Sequence, residues 1–282
     1  MKKFLKLFLV LLILLGTISC NQIDTNIIKV DLRGKLIFYT IDVGQGDGLL
    51  IRTPNENFVL IDAGSEKEEG KFIDFLDKND IFKIDYVIAT HPHEDHIGNI
   101  DYVINNYDVK KVYMPKVTAN TKTFEKLMEA IKSKNLKITT AKAGQSFEVD
   151  GVRFDFLAPN KDRYEDLNNY SAVLKVTYNN NTMLLMGDAE KLSEGEIIKK
   201  YDVKADIIKI GHHGSVSSTG KSFIKKVSPK YAVISCGRDN DYGHPHKETL
   251  EILNSLGINI LRTDESGTII FAMDGQNIEL LK

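Results

Sequence analysis

All seven histidines of the chain fall in three clusters: His91, His93 and His96; His212 and His213; His244 and His246. The first cluster is the densest, in the run Thr90-His91-Pro92-His93-Glu94-Asp95-His96. A short apolar stretch ends at Thr90, and Pro92 biases His91 toward an extended backbone. Residues two apart in an extended segment face the same side, so His91 and His93 can grip one cation. Asp95 and His96 turn into a helix carrying Ile97 and Ile100 and can present a second ligand pair nearby. Nitrogen and oxygen ligands at this density suit Zn²⁺ or Mn²⁺ and disfavour iron–sulfur chemistry. A polar loop with Asp95 capping a helix is the alternative, and it accounts for Asp95 alone.

Such side chains need a frame. Residues 36–43, 48–53 and 57–62 read as strands rich in Ile, Val, Leu, Phe and Tyr, parted by Gly- and Pro-bearing turns. Helical spacing over 71–79 precedes a short apolar strand at 86–90, which delivers the first histidine cluster. Ile97, Ile100, Val103 and Ile104 share one helical face, and Phe124, Leu127, Met128 and Ile131 share another. Strands at 147–149 and 152–157 flank Asp150-Gly151, a hairpin signal. Strands at 171–178 and 182–187 flank an asparagine-rich turn, and a helix follows at 190–201. Short strands at 206–210, 231–235 and 258–261 alternate with a helix at 246–256, before a last hairpin over Asp274-Gly275. Strand clusters broken by amphipathic helices, without an internal linker, predict one α/β domain of two sheets with helices outside.

The composition agrees. The chain has 282 residues, 42% hydrophobic and 27% charged, enough to bury a sizeable core. Its 20 glycines and 6 prolines exclude collagen-like and low-complexity classes, and two cysteines exclude a disulfide framework. Past the N-terminus, no apolar stretch approaches the ~18 residues that span a bilayer. Lys2, Lys3 and Lys6 precede an apolar run, so residues 1–20 read as an export signal, with 21–34 as a polar tether. The segment ends on Cys20 and resembles a bacterial lipoprotein signal; an uncleaved anchor is the alternative. Both place the domain outside the cytoplasmic membrane, lipid-anchored, anchored or secreted. Removing the three lysines of that segment takes the formal charge from −2 to −5, which advertises no global nucleic-acid footprint. Lys204, Lys209, Lys221, Lys225 and Lys226 could form a local basic rim, or simply a solvated surface. Cys236, in an apolar run, reads as a buried strand residue and not a nucleophile.

His-Pro-His-Glu-Asp-His resembles the HxHxDH signature of the metallo-β-lactamase superfamily. The resemblance continues, in order, through Asp42-Val43-Gly44-Gln45-Gly46-Asp47-Gly48, Asn168-Asn169-Tyr170-Ser171, Gly187-Asp188-Ala189, Gly211-His212-His213-Gly214-Ser215 and Tyr242-Gly243-His244-Pro245-His246. Over residues 35–282 the chain is similar to the soluble domain of ComEC-type competence proteins. The resemblance implies a four-layer αβ/βα sandwich with metals at one edge between the sheets. It implies His91 and His93 as ligands of one metal, Asp95 and His96 as ligands of a second, and Asp188 as a bridge between them. His212 or His213 would complete the second metal, with His212 preferred because it lies nearer the strand end. Asp62 would support a metal-site histidine. His213, Asp47, Asn169 and Ser171 are further candidates for supporting or substrate contacts. Many members supply a third histidine to the first metal, but none lies between His96 and His212 here, and Asn169 and Ser171 occupy that segment. One or two ions, Zn²⁺ or Mn²⁺, are therefore expected, with oxygen-rich coordination tilting the preference from Zn²⁺ toward Mn²⁺ or Mg²⁺. The implied chemistry is hydrolysis by metal-activated water, with Asp95 aligning the water and His244 serving the leaving oxygen. The glycine-rich loop at 44–48 offers candidate anion-binding amides but lacks a P-loop pattern. The expected function is a phosphodiesterase or nuclease acting on DNA or another phosphodiester, since ComEC-like domains are associated with degrading one DNA strand. The alternatives are an ester, lactone or phosphocholine-type hydrolase, and a non-catalytic metal-binding surface lipoprotein.

Overall fold

Strand side chains alternate between two destinations. In β1 (Leu36–Thr40), Leu36 and Phe38 enter a core between two sheets, while Ile37 and Tyr39 enter a core between sheet and helices. The computed structural model describes residues 32–282, so the expected signal at 1–20 and residues 21–31 of the expected tether lie outside the described residues. β1, β2 (Gly48–Arg52), β3 (Phe58–Ala63), β4 (Tyr86–Ile88), β5 (Lys111–Met114) and β6 (Ile138–Thr140) lie side by side in chain order. β7 (Ser146–Val149), β8 (Val152–Phe156), β9 (Leu174–Tyr178), β10 (Asn181–Leu185), β11 (Ile207–Lys209), β12 (Tyr231–Ile234) and β13 (Asn259–Arg262) do the same in a second sheet. β14 (Ile269–Met273) and β15 (Ile278–Leu280) return to the first sheet beyond β1.

The helices complete the layers. α1 (Glu69–Lys78), α2 (Glu94–Ile97), α3 (Ile100–Asn106) and α4 (Lys122–Ser133) cover the first sheet through Phe72, Ile97, Val103 and Leu127. α5 (Lys191–Ile197), α6 (Lys221–Val227) and α7 (Lys247–Ser255) cover the second through Ile197, Phe223 and Leu253. A one-turn helix, α8 (Thr263–Ser266), links β13 to β14. The result is the expected αβ/βα sandwich, a single domain with its central core between the sheets, filled by Phe38, Phe154, Phe156 and Phe271.

The expected hairpins form, pairing Val149 with Val152 and Met273 with Ile278. Two strands, β5 and β6, and the helix α6 carry no signal of their own in the sequence pattern. Cys236, just past β12, is buried as expected, its Sγ 3.3 Å from Asp264 Oδ1. Burial, with the Asp264 carboxylate beside it, pushes the thiol pKa up to about 12, so it stays protonated and inert.

Direction matters for function. β3 to β6 run parallel, and so do β10 to β13. The loops that leave their C-terminal ends carry all three histidine clusters, as ligand-bearing loops do in open α/β sheets.

Candidate metal centre

Six chain segments meet here. Asp47 immediately precedes β2, Asp62 sits near the end of β3, and the run from Thr90 to His96 links β4 to α2. Asp188 follows β10, His212 and His213 form a tight turn after β11, and His244 lies between β12 and α7. The turn has an unusual backbone: His212 and His213 both adopt left-handed conformations, at φ 49° and 52°. Consecutive non-glycine residues in this region are strained, and such strain is held only where the surroundings fix it. Gly46 is required for a different reason: a Cβ there would stand 2.2 Å from the Asp95 carbonyl oxygen. That close approach, and the Asp47 amide donating to the same carbonyl at 3.1 Å, lock the glycine-rich loop against α2.

The ligand atoms of His91, His93 and Asp188 lie within 4.8 Å of one another, and so do those of Asp95, His96 and His213. Asp188 stands between the two groups. Its Oδ2 is 3.8 Å from His91 Nε2 and 3.5 Å from His213 Nε2, and its Oδ1 is 3.2 Å from His96 Nε2. His213 Nε2 lies 3.3 Å from Asp95 Oδ2. Asp47, Asp62 and His96 form a third such group, in which Asp62 is taken up by hydrogen bonds and Asp47 by an ion pair. Asp62 accepts from the Thr90 amide at 2.8 Å, the Thr90 hydroxyl at 2.6 Å and His96 Nδ1 at 2.8 Å. Asp47 is paired with Lys209, both side chains fully buried. His213 Nδ1 donates to the Ser235 carbonyl at 3.0 Å. With Nδ1 occupied in both rings, it is Nε2 of His96 and of His213 that faces the centre.

Those atoms have no hydrogen-bond partner. His96 Nε2, His213 Nε2 and Asp188 Oδ1 are buried in the described structure without one. Buried polar atoms are rarely left so unless something is meant to occupy the space between them. The four carboxylates of Asp47, Asp62, Asp95 and Asp188, against Lys209 and the histidines, add a demand for positive charge. The donor set of imidazole nitrogen and carboxylate oxygen suits divalent first-row metals, so the residues present fit such cations.

The electrostatics tell the same story. Burial opposes ionisation of Asp188, but His213 and His96 outweigh it and hold the carboxyl well below its ordinary value. Asp95 is lowered in the same way, chiefly by His96 and His213 against the effect of burial. Burial also disfavours charged His96 and His213, yet the surrounding carboxylates, Asp188 foremost, raise both well above the ordinary histidine value. His91 is lowered, by burial and then by His96. Burial raises Asp62, with His96 only partly opposing it.

The sequence preference for His212 over His213 meets a different geometry. His213 is the one grouped with Asp95 and His96, while His212 is a quarter exposed, with Nε2 3.8 Å from Asp188 Oδ2. His212 Nδ1 lies 3.0 Å from the Ser217 hydroxyl and 3.4 Å from Asn168 Nδ2. Ser171 accepts from the Asp188 amide at 3.0 Å and so fixes that carboxylate's backbone. Asn169 is turned into the fold, its Nδ2 donating to Glu190 at 2.9 Å and its Oδ1 accepting from Ser193 at 2.9 Å. His244 is at the rim, its ring 5.4 Å from that of His212 and stacked on Tyr242. Burial and then the neighbouring His213 push its pKa down to about 4. His246 sits at the start of α7, accepting from the Val216 amide at 3.0 Å. Sequence reasoning did not single out Thr90 or Ser235, and it offered Lys209 as part of a basic rim or of a solvated surface. Lys209 is instead wholly buried against Asp47.

Residues 41–238 match the family model described as Metallo-beta-lactamase superfamily. The chain is 35% identical over 247 residues to ComE operon protein 3 of Bacillus subtilis, covering 81% of this chain and 32% of that protein. It is 30% identical over 235 residues to Competence protein ComA of Neisseria gonorrhoeae, covering 82% of this chain and 31% of that one. The chain thus spans about a third of the length of these curated relatives. Among solved structures it is similar to the metallo-beta-lactamase fold protein YhfI of Bacillus subtilis, with a TM-score of 0.58 at 14% identity, covering 84% of this chain and 99% of that one. With that match spanning most of the described sandwich, the chain belongs to the metallo-beta-lactamase superfamily.

Proposed function

We propose that the chain is a metal-dependent phosphodiesterase of the nuclease type, working outside the cytoplasmic membrane from an N-terminal lipid or anchor. One observation carries the reading: two ligand groups, His91/His93 and Asp95/His96/His213, share Asp188 and leave buried ligand atoms unpartnered between them. No helix among the described residues is long and apolar enough to cross a membrane, so attachment in this reading falls to the N-terminal segment.

His91, His93 and Asp188 would hold one cation, and Asp95, His96, His213 and Asp188 a second. When bound, divalent cations supply Lewis-acid stabilisation of developing anionic charge and acidify water. The chain's own residues do the rest. Asp62 and the Ser235 carbonyl fix the tautomers of His96 and His213. Ser171 holds Asp188 in register with both ligand groups. Asp95, its other neighbours committed, orients the attacking water, and His244 at the rim can donate an N–H to the departing oxygen. The first group offers two histidine nitrogens and one carboxylate oxygen, a donor set that Zn²⁺ or Mn²⁺ can use.

The test strips the full chain of metal, reloads it with Mn²⁺ or Zn²⁺, and follows linear single- and double-stranded DNA beside bis-p-nitrophenyl phosphate. Metal-dependent cleavage of DNA and of the small diester, falling to background in Asp188→Asn, is the expected outcome. Metal binding without turnover of either substrate would overturn the reading in favour of an ester hydrolase or a non-catalytic protein.

A further inference from the structure

A trough of about 1270 Å³ opens beside the metal centre, on the same edge of the first sheet. Its floor is made by residues leaving the C-terminal ends of β5 and β6, Pro115 and Lys116 on one side and Ala141 and Lys142 on the other. Those strands are the parallel neighbours of β4, whose own C-terminal end leads to His91. The far wall is the loop from Pro159 to Tyr170. The end of that loop joins the trough to the centre: Leu167 and Tyr170 line the trough, while Asn168 lies 3.4 Å from His212 and Ser171 holds Asp188. The volume exceeds the roughly 300–1,000 Å³ typical of small-molecule pockets, so a ligand that fills it is longer than a small ester.

The lining has a charge the rest of the molecule lacks. Lys116, Lys142, Lys161 and Arg163 face it with Asp162 as the single carboxylate of the lining, in a chain whose formal net charge is negative. Lys142 is paired with Asp162 at 2.8 Å and Lys161 with Glu196 at 2.5 Å. Lys116 and Arg163, both exposed, have no ion-pair partner among the described residues. The same lining holds an aromatic pair, Tyr164 and Tyr170, with ring centroids 5.3 Å apart and edge to face, and Lys161 Nζ lies 5.7 Å from the Tyr164 ring centre. Uncommitted cations beside partly exposed aromatic rings are the pattern that binds single strands, where phosphates meet the cations and unpaired bases stack on the rings.

We propose that this trough is a binding subsite for single-stranded nucleic acid, leading the phosphodiester chain into the metal centre. Lys116 and Arg163 take backbone phosphates, and Tyr164 and Tyr170 offer stacking faces. The proposal rests on the phosphodiesterase reading for its direction of travel, but the binding itself needs neither metal nor turnover.

The test is therefore a binding measurement, made with the full chain in EDTA. Fluorescence anisotropy of a labelled oligothymidylate is followed from 50 to 200 mM salt, for wild type and for Lys116→Glu/Arg163→Glu, with thermal unfolding as the check on folding. Wild type is expected to bind the single strand more tightly than a duplex of equal length. The double variant is expected to bind about tenfold or more weakly. Loss of two phosphate contacts, at ~0.7 each, should also flatten its slope of log affinity against log salt by about 1.4. An unchanged affinity and slope in a folded double variant, no single-strand binding by wild type, or a duplex bound as tightly as the single strand would each overturn the proposal. Single-strand binding that is lost in the variant, in a wild-type protein that turns over neither DNA nor bis-p-nitrophenyl phosphate with metal, would support the subsite and sink the nuclease reading alone.

Discussion

Lys209 shows how an individual residue can be misread from its type. A lysine three residues before a histidine pair looks like part of a basic rim, yet it ends β11, where the strand is buried on both faces. Its ammonium group is wholly enclosed and meets Asp47, whose other oxygen lies 3.4 Å from His213 Nδ1. Burial disfavours the Asp47 carboxylate, but Lys209 and His213 outweigh it and hold the carboxyl below its ordinary value. Breaking a buried pair by removing one partner leaves an uncompensated charge and costs about 3–5 kcal/mol. Lys209→Met should therefore destabilise the fold by that amount in urea unfolding, and adding Asp47→Leu should recover a large part of it. A single variant within about 0.5 kcal/mol of wild type would show that the pair is not the anchor its burial indicates. By contrast, the clustering of His91, His93, Asp95 and His96 was readable from spacing, because four ligand-type residues crowded into one run have few other uses. That His213, and not His212, is grouped with Asp95 and His96 was not readable. Two left-handed residues rotate the turn, so the histidine nearer the strand end is the more exposed one, and no propensity rule announces that.

Secondary-structure elements were readable where period and burial agree. β1, β2 and β3 have apolar residues on both faces because each separates two cores, and unbroken apolar runs between turns reveal that plainly. β6 is the opposite case, three residues with Ile138 and Thr140 exposed at the sheet edge, and β5 is four residues ended by Pro115. Neither is long enough to show a period. Their place is set by tertiary pairing, and one residue contributes much of it. The Asp85 amide donates to Phe58, its carbonyl accepts from Lys110, and its side chain accepts from the Phe58 amide at 2.9 Å. Asp85 thus ties β3, β4 and β5 together at their N-terminal ends. Its side chain is buried, with Lys110 Nζ at 2.6 Å and Lys83 Nζ at 3.1 Å. Burial opposes the charge, but Lys110, the Phe58 amide and Lys83 outweigh it and lower the carboxyl pKa. A carboxyl lowered in the fold contributes stability that is full above its unfolded value, ~3.9, and is lost as pH falls through the lower folded value. Asp85→Asn should accordingly be less stable than wild type at pH 7, with the gap closing as pH drops below about 4. A gap of constant size across that range, measured by urea midpoints, would assign the loss to packing and not to charge.

At the scale of the whole molecule, the metal centre is also a joint between the two halves. His91, His93, Asp95 and His96 hang from the first sheet, whereas Asp188 and His213 hang from the second. The apolar core between the sheets holds the halves together along most of their length, but it gives way to charge at this edge. There Asp95 and Asp188 approach the same His213 nitrogen, at 3.3 and 3.5 Å, from opposite sheets. Cations in this space would bind the folded chain and find no assembled site in the unfolded one. Selective binding of that kind adds stability as the logarithm of ligand over dissociation constant, about 2.7 kcal/mol at a hundredfold excess. For a domain of this size each kcal/mol is worth roughly 2–4 °C. Saturating Mn²⁺ should therefore raise the melting temperature of chelated protein by about 5–10 °C. Asp188→Asn, which removes the one side chain both ligand groups share, should lose most of that rise. A mutant in only one group, such as His93→Ala, should keep part of it, because the second group still spans both sheets through His96 and His213. Equal and complete loss in both variants would mean that the two groups fill as a single cooperative unit. A full rise in Asp188→Asn would mean that the sheets are not joined through this carboxylate.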